Sequence, residues 1–283
     1  MTHESSLLKF FSIVLLTVVV TVAFIQLIVS PEPMFQQTIS LQPASHVKLV
    51  VLFDDHPYDN RLKAEHGFSC LVAVDDCTIL FDAGGDPEIL AENAKALKIN
   101  FSSVDILFIS HDHADHIAGL QAVLPQLKEV TSYVPQGAIP ELMELLSSKG
   151  RVYAVLKPTV ISASTASTGV FPYITAEHAL LIRSSKGLIM VVGSAYPGVL
   201  EMAKRAIEAT QCQIHLLIGG IYLPHWKRES LIALAEDLKS LGVEFIAPLH
   251  CSSDELKEAL EEVFGDHCLN AGVGFTYEVS AHS

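Results

Sequence analysis

The chain has 283 residues, half of them hydrophobic, enough to bury one large core or two small ones. Its 18 Lys and Arg against 32 Asp and Glu give a formal charge of −14. A surface that acidic repels polyanions, which argues against nucleic acid as a partner and leaves a small molecule as the expected substrate.

Residues 1–9 form a short flank. From Phe10 to Pro31 no side chain is charged, and most are Val, Ile, Leu, Phe or Thr. About 20 such residues in a helix span the hydrocarbon core of a bilayer, which predicts a transmembrane helix over 10–31 and a membrane location. A cleavable signal peptide fits less well. The run ends Leu27-Ile28-Val29-Ser30-Pro31, with large side chains and a proline where a small-x-small cleavage site belongs. Lys9 precedes the span and no basic residue follows it until Lys48, a bias toward an extracytoplasmic domain. Residues 32–45, polar and containing Pro and Gln, read as a tether to one domain over 46–283.

Within that domain two periodicities alternate. Runs rich in β-formers occur at 47–53, 69–74, 78–81, 104–110, 151–156, 179–182, 188–192, 214–218, 243–247 and 273–279. Apolar residues three and four apart predict helices over 87–97, 117–127, 139–146, 199–209, 229–241 and 255–264. Asp75-Asp76 is a two-residue hairpin signal. The small-residue stretch 162–169 reads as a mobile surface loop. A doubly wound sheet alternates strand and helix from the start, whereas this chain opens with three strands. That favours an α/β (α+β) fold of two sheets packed face to face with helices outside. None of the five cysteines forms a CxxC pair, so buried free thiols are expected, with a Cys70–Cys77 disulfide open if the domain is exported.

Chemistry concentrates in His111-Asp112-His113-Ala114-Asp115-His116, directly after an apolar strand. Side chains two apart in extended backbone face the same way, so His111 and His113 can converge on one metal ion. A helix beginning near Ile117 can swing Asp115 and His116 toward a second position. Imidazole and carboxylate suit zinc, and also iron or manganese. Histidine-rich runs also occur in idle surface loops, but between a buried strand and an amphipathic helix three solvated histidines would serve no structural purpose. His250 emerges at the end of another apolar run, Phe245-Ile246-Ala247-Pro248-Leu249, where a ligand could project.

HxHxDH after a hydrophobic strand resembles the signature of the metallo-β-lactamase superfamily. Ile79-Leu80-Phe81-Asp82-Ala83-Gly84 is similar to that superfamily's early strand-end motif, whose aspartate supports the metal ligands from behind. Four further segments narrow the resemblance: His66-Gly67-Phe68-Ser69-Cys70-Leu71-Val72, Gly187-Leu188-Ile189-Met190-Val191-Val192-Gly193, Gly219-Gly220-Ile221-Tyr222-Leu223 and Pro248-Leu249-His250-Cys251-Ser252. They resemble the branch containing the ribofuranosylaminobenzene phosphate synthases of pterin biosynthesis, over residues 47–279. The resemblance implies a four-layer αββα sandwich. It places His111 and His113 on a first metal ion and Asp115, His116 and His250 on a second, with zinc as the cofactor, Asp115 and His116 as catalytic residues, and Asp82 behind them.

Two positions depart from the branch. Where Cys-Ser-His is usual, the chain has Ser194-Ala195-Tyr196, and Gly-Gly-Phe-His-Leu becomes Gly219-Gly220-Ile221-Tyr222-Leu223. Two expected histidines are thus tyrosines, which ligate zinc rarely. Glu177, His178 or His225 could replace the missing ligand, with Tyr196 itself a further candidate. The functional expectations follow: a hydrolase of a small ester, lactone or phosphoester using metal-bound hydroxide; a transferase like the synthases, releasing diphosphate; or a non-catalytic relative with a partial metal site.

Overall fold

Alternation along the strands decides the layers. A computed structural model of the chain describes residues 38–171 and 175–281. The strands are β1 (His46–Phe53), β2 (Ser69–Val74), β3 (Cys77–Phe81), β4 (Ile106–Phe108), β5 (Val130–Pro135), β6 (Gly150–Val155), β7 (Thr159–Val160), β8 (Thr165–Ser167), β9 (Leu180–Arg183), β10 (Leu188–Val192), β11 (Ile214–Gly220), β12 (Phe245–Leu249) and β13 (Thr276–Ser280). The helices are α1 (Pro87–Ala96), α2 (Ala114–Ile117), α3 (Leu120–Val123), α4 (Pro140–Ser147), α5 (Val199–Thr210), α6 (Arg228–Ser240) and α7 (Asp254–Phe264).

One sheet has the order β13-β1-β2-β3-β4-β5-β6 and the other β12-β11-β10-β9-β8-β7. The first is antiparallel through β3 and parallel from β3 to β6. The second is parallel across β10, β11 and β12 and antiparallel from β10 to β7. Ile79, Phe81 and Phe108 point inward and meet Leu180, Ile182, Ile189, Val191 and Ile218 of the other sheet. Their neighbours Leu80 and Leu107 point outward onto Leu90 of α1, Leu120 and Val123 of α3, and Leu142 and Leu146 of α4. Met190 and Val192 likewise point outward, onto Met202 of α5, Leu231 and Leu238 of α6, and Leu256 and Leu260 of α7. Burial on both faces is why these strands read as continuous apolar runs. The result is a mixed α/β sandwich with helices outside both sheets. Away from the rim where His250 sits, His215 of β11 faces the Tyr277 hydroxyl of β13 at 2.7 Å, a polar link between the sheets, and Glu244 at 2.7 Å.

Several expectations are corrected. The stretch 162–169 is no mobile loop: Thr165–Ser167 form a fully buried strand. Strand β5 was not foreseen. The helix expected over 117–127 is broken into α2, α3 and a 3-10 turn at Leu124–Gln126. A Cβ on Gly119 would lie 1.9 Å from the Ala83 carbonyl oxygen, so the chain must change direction there with no side chain. The described end of the expected tether packs on the domain, with Ile39 buried and its N–H donating to the Ala209 carbonyl at 2.7 Å. Cys70 and Cys77 are free thiols, so no disulfide joins them. The membrane location is corrected as well: among the described residues no helix is long and apolar enough to cross a membrane. The stretch that suggested one, residues 10–31, lies outside the described residues.

Candidate metal centre

The polar groups of the sandwich gather at one rim, just past the C-terminal ends of strands. Asp54 and Asp55 follow β1, Asp82 follows β3, Ser110 and His111 follow β4, Ser194 follows β10, and His250 follows β12. Helix α2 begins at Ala114, not near Ile117, with His113 as its N-cap residue, so Asp115 and His116 lie in its first turn. That turn is held from below. Its His116 carbonyl accepts the Ala83 N–H at 2.7 Å, and its Asp115 carbonyl accepts the Phe68 N–H at 3.2 Å. A Cβ on Gly67 would lie 2.3 Å from the Asp115 carbonyl oxygen, which explains the glycine after His66.

Asp82, buried and at the unusual φ of 50°, organises one side. Its carboxylate accepts the Ser110 N–H at 2.7 Å, the Ser110 hydroxyl at 2.6 Å and His116 Nδ1 at 2.8 Å. Because the Ser110 hydroxyl is committed to Asp82, it accepts from His111 Nδ1 at 2.9 Å. Both rings are thereby turned so that Nε2 faces the rim. His111 Nε2 is buried with no partner, and burial, with His116 and His113 beside it, holds this histidine well below its usual range.

Asp55 does the same on the other side. It accepts His250 Nδ1 at 2.8 Å and faces His66 Nδ1 at 3.1 Å. Burial pushes its carboxyl up, but the His250 ring outweighs that and brings it down to about 2. Asp54 accepts the His250 N–H at 2.5 Å, fixing that residue at φ 48°, and burial raises its own carboxyl to about 6.

The two sides meet at Asp115. Its Oδ2 lies 3.1 Å from His250 Nε2, 3.4 Å from His116 Nε2 and 3.5 Å from His66 Nε2. Burial opposes charge on His116, yet Asp115 and Asp82 outweigh it and lift the ring to about 9. Hydrogen bonds from His116 and His250 hold Asp115 far below the usual carboxylate range, against the opposing effect of burial. This position therefore favours positive charge, and a divalent cation competes for the same Nε2 lone pairs that a proton would take. Asp115, His116 and His250 offer ligand atoms within 4.8 Å of one another, as do Asp55, His66 and His250. One carboxylate with two or three imidazoles suits zinc, iron or manganese.

The remaining sequence candidates sit differently. His113 Nδ1 meets the Tyr196 hydroxyl at 3.2 Å and its Nε2 meets the Thr175 hydroxyl at 3.4 Å. Burial pushes the Tyr196 phenol up to about 12, so it stays protonated. Its ring stands 5.4 Å from that of His111 and 5.2 Å from that of Tyr222, which is partly exposed. Glu177 and His178, expected as replacement ligands, are engaged elsewhere. The Glu177 carboxylate accepts the N–H groups of Ser194, Ala195 and Tyr196 at 2.8–2.9 Å. His178 spends Nδ1 on the Ser167 hydroxyl and Nε2 on the Ile109 carbonyl, stacked on Phe108. His225 is exposed. Sequence reading missed Asp54 and Asp55, an acidic pair with no diagnostic spacing, and assigned His66 no role although it carried that residue within a motif.

Comparison with known proteins bears on the family and the fold. The sequence pattern of the metallo-beta-lactamase superfamily matches residues 62–200. A curated relative from Methanocaldococcus jannaschii, named 7,8-dihydropterin-6-methyl-4-(beta-D-ribofuranosyl)-aminobenzene-5'-phosphate synthase, is 24% identical, aligning 77% of this chain with 92% of its own. Among solved structures, a metal-dependent hydrolase of the beta-lactamase superfamily superposes with a TM-score of 0.69 at 22% identity, covering 83% of this chain and 99% of that one. A diphosphatase of the PhnP family gives a TM-score of 0.57 at 18% identity, covering 83% and 97%. At these identities the solved structures speak for the fold alone.

Proposed function

We propose that the chain, matched by the metallo-beta-lactamase superfamily pattern over residues 62–200, is a metal-dependent hydrolase of a small ester, lactone or phosphoester. The observation that carries this reading is the convergence of His116 Nε2 and His250 Nε2 on Asp115 Oδ2, each ring backed by a second carboxylate. A metal ion held there supplies a water acidified toward neutral pH and a Lewis acid that polarises the scissile bond. The chain's own residues supply orientation. Asp82 and Asp55 fix the two rings, Asp54 fixes the backbone of His250, and Glu177 holds the Ser194–Tyr196 turn against the site. Tyr196 and Tyr222 form one wall of the approach.

The test is turnover of a panel of esters, lactones and phosphoesters by metal-loaded protein, before and after chelation and with Asp115→Ala. Loss of turnover in both supports the reading; turnover unchanged by Asp115→Ala rejects it.

The match to 92% of the synthase's length favours a second reading, a transferase that releases diphosphate. Diphosphate appearing only when an acceptor is supplied would decide for it. The assembled donor set weighs against a non-catalytic role, and metal-dependent turnover of any substrate would remove that reading.

A further inference from the structure

The sequence leads one to expect two metal positions, and the residues present fit only one of them. At that one, Asp115 Oδ2 stands 3.1 Å from His250 Nε2 and 3.4 Å from His116 Nε2. Ligands about 2.0–2.1 Å from one zinc ion in a tetrahedron lie about 3.4 Å apart, close to both separations from Asp115, with all three ligand atoms within 4.8 Å of one another and the Ser194 hydroxyl, 3.2 Å from His116 Nε2, the group an ion would displace. The other position would have to be built from His111, His113 and residue 196. A neutral imidazole has a single lone pair. At His113 both ring nitrogens face hydroxyls, Nδ1 that of Tyr196 at 3.2 Å and Nε2 that of Thr175 at 3.4 Å, so in either tautomer the lone pair meets a protein hydroxyl. What remains is one lone pair, at His111 Nε2. Catalytic zinc positions use three protein ligands. No rescue comes from nearby, since both oxygens of Glu177 and both ring nitrogens of His178 are committed to the protein.

We propose that the chain retains a single metal ion, at Asp115, His116 and His250, and that the Tyr196 hydroxyl, bound to His113, takes the place of a second. The inference rests on the metal-dependence proposed above but not on the reaction. Tyr196 then presents a neutral hydrogen-bonding group where a second cation would present charge, and its ring, between those of His111 and Tyr222, closes that side of the site.

The experiment counts ions. Full-length protein, purified without chelator, is loaded with excess zinc, desalted and measured by mass spectrometry; a parallel sample loaded with cobalt(II) is examined by electron paramagnetic resonance. One ion per chain and a signal free of spin coupling are expected for wild type and for Tyr196→Phe, which removes the hydroxyl without adding a ligand. For Tyr196→His the count should rise toward two, with a spin-coupled cobalt pair. Two retained ions in wild type would overturn the single-ion inference and leave the hydrolase reading standing, whereas none would overturn both. A folded Tyr196→His that still holds one ion would show that Tyr196 does not close the second position. If that variant fails to fold, the wild-type count and cobalt signal decide alone.

Discussion

His116 Nδ1 and Asp82 Oδ2 lie 2.8 Å apart with both side chains sealed from solvent. The pair transmits the position of β3 to a ring that hangs from α2. Asp82 also holds Ser110, and through it His111. Asp82→Ala should therefore free two imidazoles at once and lower zinc affinity about 10–100-fold. Competition against a chromogenic chelator measures it, and an affinity within about threefold of wild type would show that ring orientation does not depend on Asp82.

Glu177 separates a structural role from a ligand role. Its carboxylate takes three backbone N–H groups, and burial works against its charge. In Glu177→Gln one acceptor oxygen becomes an NH2 facing donors, so stability should fall by about 1–3 kcal/mol. The number of retained metal ions should not change. Chemical denaturation and metal analysis on the same preparation check both statements; a lost ion would make Glu177 a ligand after all.

His178 gives a pH dependence with a defined sign. Burial lowers its ring to about 4, against about 6.5 in an unfolded chain. Between those values the unfolded state binds more protons than the folded one, so stability rises with pH. The contribution is complete above about pH 6.5 and is lost as pH falls toward 4, by about 1.4 kcal/mol per unit. His178→Phe should lower stability at pH 7, because Ser167 and the Ile109 carbonyl lose a partner, yet flatten the decline below pH 6.5. Urea midpoints at pH 7 and pH 5 for both proteins make the comparison, and equal declines would remove His178 from the account.

Gly193 tests how tightly the rim is packed. A Cβ there would lie 2.2 Å from Ser110 Oγ and 3.1 Å from His111 Nδ1. Gly193→Ala must displace the link that orients His111, so the ring of His111 should turn and the Asp82–Ser110 bond should break. Imidazole proton resonances of the variant, compared with wild type, report the displacement; unshifted His111 signals would mean that the backbone yields instead.

What the sequence made legible depended on how far apart cooperating residues lie. His111, His113, Asp115 and His116 fall within six positions, so their spacing alone suggested a metal. The apolar runs of β2 and β10 were read to the residue: β10 is buried at every position, and β2 is part-exposed only at Leu71 and Ala73. Strand β8 was not read, since Thr165, Ala166 and Ser167 are buried for their small size and give no hydrophobic period. Asp55 is 195 positions from the histidine it orients, and no local pattern marks such a pairing. The expectation that His113 meets a metal rests on its neighbours in sequence, and no local pattern marks the Tyr196 hydroxyl, 83 positions away, that faces its Nδ1.

The ligand set also joins the two sheets. Asp115 and His116 follow β4 of one sheet and His250 follows β12 of the other, so an ion held by all three would act as a clasp on the rim. The hydrogen bond of His215 to Tyr277 is a second fastening, near the start of β11. Binding metal there would be coupled to closing the sandwich at the rim. Part of the ion's affinity would be spent as cohesion between halves that also meet through backbone groups, such as the His178 N–H on the Ser110 carbonyl at 3.2 Å. The rim is also tied without metal, by the bonds of Asp54 and Asp55 to His250, so an ion there would add to a seam already fastened.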